Sequence, residues 1–202
     1  EYAGKVGMLD DPMANIITAS MVVTGLDVPT RITSEQLEAA IDFLIAMKKQ
    51  ARLVAAAYGD LSDALSRGDI AVTFSGWEAM VKFCADKGKV VKFHYPEERT
   101  TAWLDNYCIV KDAPNLDAAY EACNRAISAV GQTRLGEDAF QGVVNSEAVK
   151  SLSPDMLGLY PYDDISGYGE KAVFVGMPPT EPEGDITSFT QWMKAYERFK
   201  AA

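Results

Sequence analysis

Apolar positions along the chain follow two rhythms, one of period two and one of helical spacing. Short β-rich runs at residues 5–9, 70–74, 90–95 and 103–110 predict strands, and residues 52–57 read as a short strand with a helical extension as the alternative. Helical segments lie between them. Pro12 suits a first helical turn behind an N-cap at Asp10 or Asp11, and Gly25 closes that segment. Thr33 and Gln36 have capping-box spacing, and Leu37, Ala40, Ile41 and Leu44 follow on one helix face. Shorter helices are predicted over 61–66, stopped by Gly68, and over 77–85. Asn115 caps another, with Leu116, Ala119, Tyr120, Cys123 and Ile127 sharing a face; 135–140 and 147–151 read as helical turns. Residues 160–182, rich in Gly, Pro, Asp and Tyr, read as loop. Asp185 is the expected cap of a last helix, with Ile186, Phe189, Met193 and Tyr196 on one stripe and Trp192 and Phe199 beside it. Strands alternating with helices predict an α/β sandwich with a mostly parallel sheet.

In such sheets, ligands bind just beyond the carboxyl ends of strands. That rule selects Asp10 and Asp11, the turn Ser75-Gly76-Trp77, and the stretch bearing Trp103 and Asp105. Gly76 lets backbone approach a ligand, and Trp77 either walls that ligand or packs beneath the turn. Residues two apart in a strand share a face, so Trp103 and Asp105 are expected to emerge together. An indole beside a carboxylate suits an ammonium group; a core tryptophan and a strand-end aspartate are the alternative. Asp11 can equally be only a helix cap.

Composition narrows the chemistry. The 202 residues are 48% hydrophobic and 24% charged, as in ordinary globular proteins. A formal charge of −10 disfavours nucleic acid and anionic membranes as partners. No apolar run approaches the roughly 20 residues of a membrane helix. The opening residues carry neither a basic nor an apolar leader, so the sequence reads as mature, trimmed or a fragment. The single histidine, His94, leaves little for a histidine metal site, and no metal or cofactor is expected. Cys84, Cys108 and Cys123 show no CxxC spacing; either Cys108 and Cys123 pair or all three are buried and reduced. Neither GxSxG, a P-loop, HExxH nor GxGxxG occurs. One enzymatic reading survives: a hydrolase using Asp11 and Asp105 as paired carboxylates.

The order of the pieces carries more than any one of them. Residues 2–12 (YAGKVGMLDDP) precede Gly68-Asp-Ile-Ala-Val, then Ser75-Gly-Trp77, Tyr95-Pro96, Trp103-Leu-Asp105 and residues 111–119 (KDAPNLDAA). Asn145 and the closing Trp192 complete the series. In this order they resemble the extracytoplasmic solute-binding proteins of bacterial ABC transporters, in the branch of the spermidine- and putrescine-binding proteins. The resemblance implies a periplasmic-binding-protein type II-like architecture: two α/β lobes clamping a ligand, with no chemistry. It places residues 6–102 and 147–202 in the second lobe, and 103–146 in a segment returning to a first lobe only partly present. Most of that first lobe would come from an absent N-terminal segment or a partner chain, and the face of Leu116, Tyr120 and Ile127 would stay uncovered.

Carried over residue by residue, the resemblance makes Trp77 and Trp103 aromatic contacts, Asp105 the amine-holding carboxylate and Asp11 a further acidic position. Ser75 and Gln141 complete the expected ligand set. Two positions depart from the polyamine pattern: Ala14 stands where a glutamate is typical, and Gln141 where an aromatic is typical. The implied ligand is a small cationic nitrogen compound (an amine, a polyamine-like or a betaine-like molecule). The implied partner is a membrane permease, and the implied location is the periplasm.

Overall fold

The computed structural model describes residues 2–202. In chain order it comprises β1 (Val6–Leu9), α1 (Pro12–Thr24), α2 (Ser34–Lys48), β2 (Ala51–Ala55), α3 (Tyr58–Arg67), β3 (Val72–Thr73), α4 (Ala79–Ala85) and β4 (Thr100–Ala102). There follow α5 (Leu116–Ile127), α6 (Ala129–Ala139), α7 (Ser146–Val149), α8 (Pro154–Leu157), α9 (Ile165–Lys171), β5 (Ala172–Phe174) and α10 (Phe189–Ala201). The fold is mixed α/β with parallel pairing throughout its named strands. Contacts group the chain into two compact units: residues up to Trp103 with Gly169–Ala202, and Leu104–Tyr168.

The first unit is built on a three-stranded sheet of order β2-β1-β3. The short central strand β1 is buried along its whole length, because helices cover both of its faces. Val6 and Met8 point into a core shared with Ile16, Leu37, Ile41, Leu44, Trp192, Tyr196 and Phe199 of α1, α2 and α10. Leu9 points the other way, into a cluster with Leu61, Ala64, Ile70 and Met80. Gly7 shares that second face, and a Cβ there would stand 2.6 Å from Ile70 Cδ1 and 2.8 Å from Leu61 Cδ2. Only glycine lets α3 approach the strand so closely. A second parallel pair, β4 with β5, carries the chain from residues 100–102 alongside 172–174.

Local signals place most of these helices. Asp11 caps α1 ahead of Pro12, and Gly25 and Gly68 end α1 and α3 in the left-handed conformation. The Thr33–Gln36 capping box is present. The last helix begins later than expected: its cap is Ser188, not Asp185, in a second capping box with Gln191. Its buried residues are Trp192, Ala195, Tyr196 and Phe199, rather than the stripe containing Ile186 and Met193. The indole Nε1 of Trp192 donates to Thr187 Oγ1 at 2.9 Å, and that hydroxyl donates to Ile32 O at 2.8 Å.

Two expected strands do not form among the described residues. Residues 90–95 are irregular, and Val90 is exposed. Residues 103–110 are likewise outside any strand, because no neighbour offers them a ladder of hydrogen bonds; the short strand there ends at Ala102. Conversely, α9 and β5 occupy a stretch expected to be loop.

The second unit is helical. Val143, Ala148, Leu152 and Met156 form its small core, with Phe140, Tyr160 and Tyr162 packed around them. This cluster ties residues 147–168 to residues 104–146, where the sequence reading assigned 147–168 to the other lobe. Gln132 accepts from Val144 N at 3.0 Å, and Asn145 Nδ2 donates to Ile127 O at 2.8 Å. Helix α5 buries none of its residues. All three cysteines are free: Cys84 is buried, Cys108 exposed and Cys123 half-buried.

Candidate functional site

Because β1, β2 and β3 are parallel, their carboxyl ends lie along one edge of the sheet. Leaving β1 at that edge, the chain reaches Asp10 and Asp11; leaving β2 it reaches Tyr58, and leaving β3 it reaches Ser75, Gly76 and Trp77. Asp11, Ser75 and Trp77, selected from the sequence by the strand-end rule, therefore share this edge.

The two aspartates have different surroundings. Asp10 accepts from Tyr196 Oη at 3.2 Å; Tyr196 Oη in turn accepts from Asn15 Nδ2 at 2.8 Å, and the same amide donates to Leu9 O at 2.7 Å. This chain ties α10 and α1 to the end of β1. Burial, with the nearby Asp10 charge, raises the Tyr196 phenol far above its ordinary range, so it stays a donor. Asp11 is half-buried and uses Oδ1 to accept from Met13 N at 2.8 Å and Ala14 N at 3.0 Å. No ion pair engages Asp11 among the described residues.

Trp77 is half-buried within an aromatic group. Its ring centroid lies 5.8 Å from that of Tyr58 and 5.7 Å from that of Phe83, the latter edge-on. Both readings of Trp77 thus have a physical counterpart, since the indole packs on its neighbours yet retains exposed surface. Ser75 Oγ is buried and has no hydrogen-bond partner. Burial raises the Tyr58 phenol above its ordinary value, and the charges of Asp11 and Glu78 raise it further. Glu78, next to Trp77 in sequence, has its own carboxyl raised by burial, partly opposed by its backbone N–H.

The remaining expected residues lie elsewhere. Trp103 directly follows β4 and is 58% exposed. Asp105 is exposed on irregular chain in the second unit, so strand periodicity does not set its direction relative to Trp103. Gln141, also in the second unit, is half-buried just after Phe140, whose φ of 54° ends α6 in the left-handed region. Beside it, Tyr160 Oη donates to Phe140 O at 2.8 Å, and Tyr162 Oη accepts from Val143 N at 3.0 Å. Sequence reading missed Tyr58, Glu78 and Phe83. The signal for Tyr58 was available, because the strand-end rule applies to β2 as it does to β1 and β3. Among the described residues, no group of His, Cys, Asp and Glu side chains could hold a metal ion.

Residues 1–156 match the family model of the bacterial extracellular solute-binding proteins. The chain belongs to that family. Two solved structures share its fold. One is a spermidine/putrescine ABC transporter substrate-binding protein from Streptococcus pneumoniae, with a TM-score of 0.68 at 14% identity, covering 99% of this chain and 58% of that one. The other is an ABC transporter substrate-binding protein from Bradyrhizobium japonicum, with a TM-score of 0.64 at 19% identity, covering 97% of this chain and 57% of that one. This family member thus spans less than two thirds of either structure's length. No curated protein matches the sequence. The motif order points to bacterial solute-binding proteins, and that is the family found; the two solved structures have the α/β fold expected here.

Proposed function

We propose that this chain belongs to the solute receptor of an ABC importer, and that it captures a small cationic nitrogen compound in the periplasm without chemistry. The observation that carries the reading is the carboxyl edge of the sheet. There Trp77 packs between Tyr58 and Phe83, and no ion pair among the described residues engages Asp11. An aromatic face and an unpaired carboxylate together match an alkylammonium group better than an anion or a neutral sugar. At this edge Trp77 contacts the alkyl part, Asp11 holds positive charge and Ser75 supplies a polar contact; the resemblance adds Trp103, Asp105 and Gln141 to the proposed ligand set. Family membership supports a binding role, and the ABC-transporter names of both solved relatives support a permease as partner. The polyamine named for one relative supports testing amines first.

The hydrolase reading finds no support. The family matched is one of solute-binding proteins, and no observation pairs Asp11 with Asp105.

Calorimetry on the full-length protein tests the proposal with putrescine, n-butylammonium and choline as probes. At least one is expected to bind. Asp105→Asn is expected to weaken that probe about 10- to 100-fold, the range for a hydrogen bond to a charged group. Unchanged affinity removes Asp105 from the ligand set; no binding of any probe removes the cationic ligand.

A further inference from the structure

A third carboxylate at the sheet edge, beyond Asp10 and Asp11, has so far no role. Glu78 follows Trp77 directly and stands at the N-cap of α4, yet its side chain makes no capping hydrogen bond there. It is half-buried, and its charge acts on the Tyr58 hydroxyl, as does that of Asp11. No ion pair engages Glu78 among the described residues, and Lys82, one turn further along α4, pairs with Asp86. The edge therefore holds a half-buried carboxylate that no ion pair among the described residues engages, next in sequence to Trp77 of the aromatic group and three residues from Ser75, whose Oγ is buried and unpartnered. Such a group costs stability unless something positive meets it.

We propose that Glu78 is a specificity-determining residue: with Asp11 it holds a protonated amine of the ligand against Trp77 and Tyr58. This rests on the cationic-ligand reading above and deepens it. Ala14 leaves α1 without the glutamate expected there, and Glu78 supplies a second carboxylate from a different element of the same edge. Carboxylates favour a primary ammonium over a quaternary one, because only the former has N–H groups to donate. Burial and the two charges keep Tyr58 protonated, and its oxygen can accept from the same ammonium.

The test compares the full-length protein with Glu78→Gln and Glu78→Asp, titrating putrescine, n-butylammonium and choline at pH 7 and recording thermal unfolding without ligand. Wild type is expected to bind a primary amine more tightly than choline. Glu78→Gln is expected to weaken that amine at least about tenfold while unfolding at the same temperature as wild type or a higher one. Glu78→Asp, which keeps the charge, is expected to retain more affinity than Glu78→Gln. Equal affinity of Glu78→Gln and wild type overturns the role of Glu78 and leaves the cationic reading intact. A lowered unfolding temperature in Glu78→Gln shows a structural role and likewise overturns it. Failure of wild type to bind any of the three probes overturns both readings together.

Discussion

In α2, Leu37, Ala40, Ile41 and Leu44 lie buried where α1 and α10 pack against the helix, whereas the corresponding stripe of α5 is open. Leu116, Tyr120 and Ile127 are 47%, 57% and 48% exposed. Both helices repeat apolar residues at helical spacing, so their sequences make the same statement. That statement concerns a face suited to burial and does not say what covers it. In the first unit, a parallel sheet and α10 supply the cover. In the second, the buried apolar residues gather instead around α7 and α8, in a cluster of four. The candidate edge belongs to the well-covered unit, where Asp11, Tyr58 and Trp77 sit at the ends of strands held from both faces.

The strongest way to break this contrast is to empty the larger core. Trp192 is fully buried, and its indole is hydrogen-bonded to Thr187. Trp192→Ala is expected to cost about 3–5 kcal/mol in chemical denaturation. Amides of α2 and α10 should lose protection in hydrogen exchange. A loss under about 1 kcal/mol would mean that the core of the first unit is not cooperative around this residue.

A smaller blow falls on the other face of the sheet. Gly7→Ala places a methyl group against Ile70 and Leu61, both buried, and is expected to cost about 1–3 kcal/mol. The same denaturation experiment reads it. An effect near zero would show that α3 moves freely on β1, loosening the edge that carries Tyr58.

These two residues also mark what the sequence made legible. The Thr33–Gln36 box, the Asp11 cap and the Gly25 and Gly68 stops are each determined within a few residues, and each is present as read. The start of α10 was legible too: Ser188 and Gln191 repeat the box spacing, but Asp185 offered a competing cap three residues earlier. Strands were harder, since a strand exists only with a neighbour. Residues 103–110 have β composition and no strand partner among the described residues, while Ala172–Phe174, in a stretch rich in turn residues, is a strand because Thr100–Ala102 lies beside it. Of the residues the strand-end rule selects, Asp11, Ser75 and Trp77 lie along one carboxyl edge, while Trp103 and Asp105 do not follow its three strands. The rule missed Tyr58 because α3 was read as starting only at residue 61, and Glu78 because an acidic residue at a helix start is ordinarily just favourable to the dipole.

Glu78 gives a finer probe of the covered unit. Burial holds its carboxyl above the ordinary range, so the folded chain binds that proton more tightly than the unfolded chain. The resulting cost is absent below the unfolded value, where both states are protonated. It grows as pH rises and is complete above the raised folded value. Unfolding midpoints of wild type and Glu78→Gln are therefore expected to lie closer together at pH 4 than at pH 7, with the variant gaining relative to wild type as pH rises. A gap that widens toward acid would mean that Glu78 is stabilised in the fold.

The smallest expected effect lies on α5, and there a near-zero result is the informative one. Tyr120→Ser removes an aromatic ring that is already mostly in water, so little apolar area changes environment between folded and unfolded chains. Serine is a slightly worse helix former than most, and the measured change in this chain is expected to stay within about 0.5 kcal/mol. Exchange rates of α5 amides should hardly move. If Tyr120→Ser instead cost as much as Gly7→Ala, the stripe on α5 would have to be covered in solution, and the contrast with α2 would collapse. The same substitution doubles as an assay for cover: a stability cost that appears only when a longer form of the protein is measured would locate what packs on that face.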